Sequence, residues 1–171
     1  MNRRVDGFTM VEVMVTIAVV AILAGIAAPS MIAFVRDSRL RGVSGQLFTD
    51  LQFARSEAIR RNRPVLLCAV AGCAVPTGNW AGGWQVCVDA DDDLACDVSS
   101  NASPNPLRSR AALDSSVTLT GSTTGLSFRP DGSQGAVGGA AKVLTLSGTW
   151  TSPPNYQHTT TSTGVIALIK Q

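Results

Sequence analysis

The stretch GFTMVEVMVTIAVVAILAGIAAPSMIAFVR, residues 7–36, decides the fold. From Val13 to Val35 it carries no charged side chain, a run of 23 residues. As a helix at 1.5 Å per residue, such a run spans roughly 34 Å, enough to cross the hydrocarbon core of a bilayer. One acid breaks the pattern: Glu12 lies four residues inside the apolar block that begins at Phe8. A charge at the bilayer centre costs roughly 2.5–3.5 kcal/mol on insertion scales, and less near the interface, so an intramembrane acid implies a partner or a retreat to the headgroups.

Three readings of this N-terminus compete. A cleaved secretory signal wants a shorter apolar run and a small-residue cleavage site. Ala24 to Ala28 supply small residues, but the run is too long, and Asp6 and Glu12 sit where acids are unfavourable. A plain membrane anchor leaves Glu12 unexplained. The third reading rests on Gly7-Phe8-Thr9-Met10-Val11-Glu12, which follows a short basic leader with Arg3 and Arg4 and precedes the apolar helix. This arrangement resembles the type IV prepilin signature, with Met10 where Leu is commoner.

The resemblance implies that a dedicated prepilin peptidase at the cytoplasmic membrane face cuts between Gly7 and Phe8 and N-methylates Phe8. The new Phe8 amine is then the cation that Glu12 needs in a medium of low dielectric. Acting on its own or a neighbouring subunit, Glu12 becomes an assembly residue that sets register in a helical filament. Pro29 removes one backbone hydrogen bond from the helix and predicts a kink or a locally melted turn. Arginine counts do not settle topology, because Arg3 and Arg4 on one side face Arg36, Arg39 and Arg41 on the other. The peptidase motif and the cysteines place the leader in the cytoplasm and the rest in the periplasm, a single pass through a bacterial inner membrane.

Outward from this segment, the 171-residue chain is 45% hydrophobic and 15% charged, with a net charge of +2. That excludes a disordered polyelectrolyte and a long multidomain enzyme. Residues 36–63 hold seven arginines against three acids, a local charge of +4, whereas residues 64–171 carry −2. A basic stalk therefore joins a mildly acidic head, which has no global field favouring nucleic acid. Leu40, Val43, Leu47, Leu51, Ala54 and Ala58 recur at spacings of three and four, so the helix continues past Gly42 and Gly45 toward Pro64. Arg55, Arg60, Arg61 and Arg63 form the steepest basic patch, read either as phosphate-binding or as the solvated outer face of an amphipathic helix.

After Pro64 the pattern changes to short β-rich runs. Strands are expected at Val65–Val70, Trp84–Val88, Val117–Thr120, Leu126–Phe128, Val143–Leu146 and Val165–Ile169. Arg129-Pro130-Asp131-Gly132 reads as a type I turn, and the runs Ser99–Pro106 and Thr149–Thr163 as loops. No internal repeat is visible. The expected fold is α+β: a long, pilin-like, membrane-spanning N-terminal helix whose C-terminal half packs on an antiparallel β-sheet head. The expected segments are a leader (1–7), a hydrophobic transmembrane and assembly helix (8–35), an amphipathic helix (36–63) and a β-rich head (64–171).

The order of helix, Asn62-Arg63-Pro64, a first strand ending near Cys68, then Gly83-Trp84-Gln85-Val86 and an Asp-rich turn resembles the GspH/FimT group of minor pilins and pseudopilins. Some members of that group bind DNA through an arginine-containing motif near the C-terminus. No arginine follows Arg129 here, so the resemblance does not extend to DNA capture.

Cys68, Cys73, Cys87 and Cys96 all fall in the head, and an even count outside the cytoplasm reads as two disulfides with three possible pairings. The local pairs Cys68–Cys73 and Cys87–Cys96 are expected. Spacings of four and eight intervening residues do not match a zinc knuckle. Asp89, Asp91 and Asp93 alternate as a calcium loop does, with Asp97 nearby, and calcium occurs in some related pseudopilins. However, Leu94 and Ser100 stand where an EF-type loop needs Gly and Glu, so the alternative is a solvated acidic turn.

Catalysis has no support. His158 is the only histidine, expected at the surface, and no nucleophile elbow, zinc-protease helix or phosphate-binding glycine loop is present. The sequence therefore points to a structural subunit with no cofactor, no metal and no small-molecule substrate. Its expected partners are other pilin or pseudopilin subunits, the prepilin peptidase and the inner membrane. It would serve a type IV pilus or a type II secretion pseudopilus. The alternative is a DNA-uptake module using the four stalk arginines.

Overall fold

The computed structural model describes residues 7–70, 80–89, 91, 95–97, 106–122, 125–135 and 141–171. By its internal contacts the chain forms two compact units, Met1–Ser38 and Arg39–Gln171.

One helix, α1 (Met10–Arg61), runs for 52 residues without interruption through position 29, so the locally melted turn expected there is not found. Within the first unit its apolar side chains are exposed, among them Met10, Ile17, Leu23, Ile26 and Phe34. An all-round apolar helix surface of this kind belongs in lipid or against other helices. Its hydroxyls are satisfied locally: Thr16 Oγ1 donates to the Val13 carbonyl at 2.9 Å and Ser30 Oγ to that of Ala27 at 2.8 Å. Such bonds are what an apolar surround demands of a polar side chain.

In the second unit α1 becomes one-sided. Leu40, Leu47, Leu51, Ala54 and Ala58 are fully buried, with Val43 packed against them, matching the expected stripe. Each buried leucine contributes roughly 1.5–3 kcal/mol relative to exposure. The helix stops where Asn62 takes a left-handed conformation, φ 51°, and Arg63 N donates to the Ala58 carbonyl at 3.3 Å. Pro64 follows, the usual sequel to such a cap.

The head contains two four-stranded antiparallel sheets rather than the single sheet expected. The first has the order β3 (Arg108–Ser109), β2 (Trp84–Val88), β1 (Val65–Ala69), β5 (Gly125–Phe128). The second has the order β4 (Val117–Gly121), β6 (Lys142–Gly148), β7 (Tyr156–Thr160), β8 (Ile166–Lys170). Both contribute to one core with α1: Val65, Leu67, Trp84, Val86 and Phe128 from the first, and Leu119, Leu144, Leu146 and Tyr156 from the second. The opposite face of β1 and β2 carries Leu66, Cys68 and Cys87, which cluster with Cys96. This explains why every residue of β1 is buried.

Two strands escaped the sequence reading. β3 is only two residues long, and β7 lies inside the run taken for a loop at Thr149–Thr163. β7 is an interior strand, paired Leu146↔Tyr156 and Leu144↔His158 on one side and His158↔Leu168 on the other. The Arg129–Gly132 turn forms as expected, Gly132 N donating to the Arg129 carbonyl at 2.8 Å.

Candidate functional site

At the start of α1, Gly7, Phe8 and Thr9 are non-helical and exposed, Phe8 to 82%. Thr9 occupies the N-cap: its carbonyl accepts from Val13 N at 3.2 Å and its Oγ1 accepts from Glu12 N at 3.2 Å. Thr9 followed three residues later by Glu12 is the sequence form of a capping box. Glu12 therefore sits in the first helical turn, where a negative charge offsets the partial positive charge of the helix start.

The stalk arginines are largely committed, one to the head and two along α1 itself. Arg55 Nε donates to the Gly132 carbonyl at 2.9 Å. Arg60 grips Glu57 through two hydrogen bonds, 2.9 and 2.6 Å, and Arg61 Nε donates to the same carboxylate at 2.6 Å. The hydrogen bond from Arg60 leads the lowering of the Glu57 pKa; burial opposes it and Arg61 adds to it. Arg63 is exposed. Three of the four cations of the expected phosphate patch thus already hold a carboxylate or a carbonyl.

A second carboxylate centre lies on the same helix and was missed in the sequence. Asp50 is fully buried. It accepts from Arg110 Nε and Nη2 at 2.8 and 3.2 Å, from Arg108 Nη1 at 3.0 Å and from Trp84 Nε1 at 3.0 Å. Burial by itself pushes this carboxyl up, but the hydrogen bonds from Arg110, Trp84 and Arg108 outweigh it and hold it below its ordinary 3.8. Arg108 also lies over the Phe53 ring, 3.6 Å from its centroid. Asp50 so joins α1 to β2, β3 and the segment after it. The signal was available: Asp50 and Glu57 continue the three-four spacing of Leu40, Val43, Leu47 and Ala54, so two acids stand where the stripe calls for apolar residues.

His158 corrects the surface expectation. It is 1% exposed, on the inward face of β7, and its Nε2 lies 3.1 Å from Ser44 Oγ on α1. Nδ1 has no partner among the described residues, and burial lowers the ring pKa from 6.5 to about 4.

Cys87 and Cys96 form a disulfide with Cα atoms 5.6 Å apart, as expected. Cys68 is also disulfide-bonded; Cys73, the other half of the expected second pair, lies outside the described residues. The sulfurs of Cys68, Cys87 and Cys96 lie within 4.8 Å of one another, a spacing a soft metal accepts, but their oxidation leaves none of these three as a thiolate. The carboxylates of Asp89, Asp91 and Asp97 also fall within 4.8 Å of one another, and Asp97 N donates to the Val88 carbonyl at 3.1 Å. Asp93 lies outside the described residues.

Residues 44–164 match the family described as type II transport protein GspH, and residues 2–28 match the prokaryotic N-terminal methylation motif. No curated protein sequence matches the chain. Among solved structures, the type IV minor pilin FimU of Pseudomonas aeruginosa is similar in fold in two crystal forms. At 19% identity the P65 form has a TM-score of 0.57, over 75% of this chain and 91% of FimU. The P21 form, also 19% identical, has a TM-score of 0.59 over 80% and 92%.

Proposed function

Because the chain belongs to the GspH family of type II transport proteins, a pilin-like family of pilus and pseudopilus subunits, we propose the following course for it. It is made as a prepilin, held in the bacterial inner membrane by a single pass of α1 with its head in the periplasm. A prepilin peptidase removes residues 1–7 and N-methylates Phe8. Residues 8–35 then serve as the assembly helix, 36–63 as the amphipathic stalk and 64–171 as the outward head of a minor subunit. That subunit joins other pilins or pseudopilins in a type IV pilus or a type II secretion pseudopilus.

The role is non-catalytic and needs no cofactor or small-molecule substrate. Apolar side chains of α1 pack between subunits, and Glu12 paired with a Phe8 amine fixes the stagger. The observation that carries this reading is a methylation motif over residues 2–28 that runs into the charge-free stretch Val13–Val35, whose large apolar side chains are exposed. DNA is not proposed as a partner, since Arg55 is engaged by the head and Arg60 and Arg61 by Glu57 of α1.

The test is the intact mass and N-terminal sequence of the membrane-extracted chain, non-reduced, from cells with and without the peptidase. The expected product begins at N-methylated Phe8 and lacks four hydrogens for two disulfides. A chain beginning at Met1 in both strains, or near Pro29, overturns the processing reading.

A further inference from the structure

The bond proposed for cleavage, Gly7–Phe8, lies two residues outside α1, and one side chain marks that boundary. Thr9 is non-helical; its carbonyl takes the first helical hydrogen bond, from Val13 N, and its hydroxyl takes the Glu12 N–H, both at 3.2 Å. A helix beginning earlier would engage the carbonyl to be cleaved, because the Gly7 C=O is the natural acceptor for Val11 N. The sequence offers such an earlier start: Asp6 is a good N-cap residue three positions upstream, and Gly7, Phe8 and Thr9 would then form the first turn.

We infer that Thr9 is a positioning residue for leader removal: by capping α1 it keeps the Gly7–Phe8 peptide outside the helical hydrogen-bond ladder and open to the peptidase. The inference rests on the processing reading above. In that hydrolysis, water oxygen bonds to the Gly7 carbonyl carbon and the bond to the Phe8 nitrogen breaks. The nitrogen takes both protons of that water, leaving a Gly7 carboxylate and a Phe8 ammonium. A peptidase must reach that carbonyl from the side, which a helical hydrogen bond and the surrounding turn obstruct. The same hydroxyl serves Glu12, whose backbone N–H it satisfies while leaving the carboxylate free for the amine that cleavage creates.

The experiment measures leader removal from the full-length chain in membranes by purified prepilin peptidase, read by mass over time, for the parent and four variants. Thr9→Val keeps the shape and removes the acceptor; Thr9→Ser restores it. Asp6→Ala removes the competing upstream cap, alone and together with Thr9→Val. Loss of a cap shifts a helix start by about five-fold in equilibrium. The expected result is a Thr9→Val chain cut more slowly, by up to about five-fold, a Thr9→Ser chain cut like the parent, and recovery in the double variant toward the rate of Asp6→Ala alone. Equal rates for Thr9→Val and the parent overturn the inference. So does a Thr9→Ser chain as slow as Thr9→Val, or a double variant that does not recover, because the peptidase is then reading the threonine itself. An uncut parent is a different failure: it removes the processing reading, and this inference with it.

Discussion

Asp50 is the residue on which the head turns, because three donors from two chain regions converge on a carboxylate with no access to water. Removing one partner of a buried ion pair typically costs about 3–5 kcal/mol. The side chains of Arg108 and Arg110 are 38% exposed and can turn to solvent, so Asp50→Asn belongs at the low end, about 3 kcal/mol. That corresponds to a Tm lowered by roughly 6–12 °C for a chain of this size, read by tryptophan fluorescence with Trp84 as a local reporter. Because the folded carboxyl is held below its ordinary 3.8, its contribution is full above that value and is lost as pH falls through the lowered pKa. The gap between parent and Asp50→Asn is therefore constant at neutral pH and closes below about pH 4. His158 gives a second window with the opposite chemistry. Its folded pKa of about 4 lies below the unfolded 6.5, so the unfolded chain binds the extra proton between those values. Stability is then full above pH 6.5 and falls by up to about 3 kcal/mol on going down to pH 4. His158→Gln keeps a partner for Ser44 and does not titrate; its Tm should be flat across that window while the parent's falls.

At the scale of elements, what was legible followed hydrophobic period, and what was not had traded hydrophobicity for pairing. The α1 stripe was visible because Leu40, Leu47 and Leu51 repeat at helical spacing, and β1 because Val65-Leu66-Leu67 is apolar on both faces. β7 reads Tyr-Gln-His-Thr-Thr, with inward residues Tyr156, His158 and Thr160 that a hydropathy pattern passes over. Their β propensity was the surviving signal, and interior position between β6 and β8 completes the strand. Asp50 and Glu57 were legible as acids but not as hubs, since their partners Arg108 and Arg110 arrive from nearly sixty residues away for Asp50, while Arg60 and Arg61 are local for Glu57. The turns that tie the sheets together depend on a contact only glycine permits. Gly164 has φ +76°, and a Cβ there would lie 1.9 Å from the Gly132 carbonyl oxygen, the same oxygen that accepts from Arg55. Gly164→Ala should separate the 129–135 and 161–165 turns and cost at least about 2 kcal/mol, adding left-handed strain to a backbone clash. Arg55→Ala removes one hydrogen bond from the same junction and should cost about 1 kcal/mol. Thermal unfolding of the two variants ranks them, and the reverse order would remove the glycine contact as the controlling feature.

The whole molecule separates folding from assembly along its sequence. Among the described residues, every buried residue of the main core lies at or beyond Leu40, within the unit Arg39–Gln171, whereas the large apolar side chains between Met10 and Val35 are exposed. A change at Glu12 should therefore leave the head as stable as before. Under the proposed pairing of Glu12 with a Phe8 amine, the same change in a filament leaves that amine without its counter-ion in a region of low dielectric, where an unpaired charge costs several kcal/mol per subunit. Glu12→Gln should accordingly insert in the membrane, lose its leader like the parent and unfold at an unchanged Tm, yet fall at least about ten-fold in the sheared filament fraction. The ten-fold figure corresponds to only about 1.4 kcal/mol, so even a heavily screened pair produces it. Quantitative mass spectrometry of sheared and membrane fractions from the same cells reads both halves of the prediction. A variant recovered in filaments at parental levels would show that Glu12 serves the helix start alone, and a lowered Tm would overturn the separation of assembly from folding.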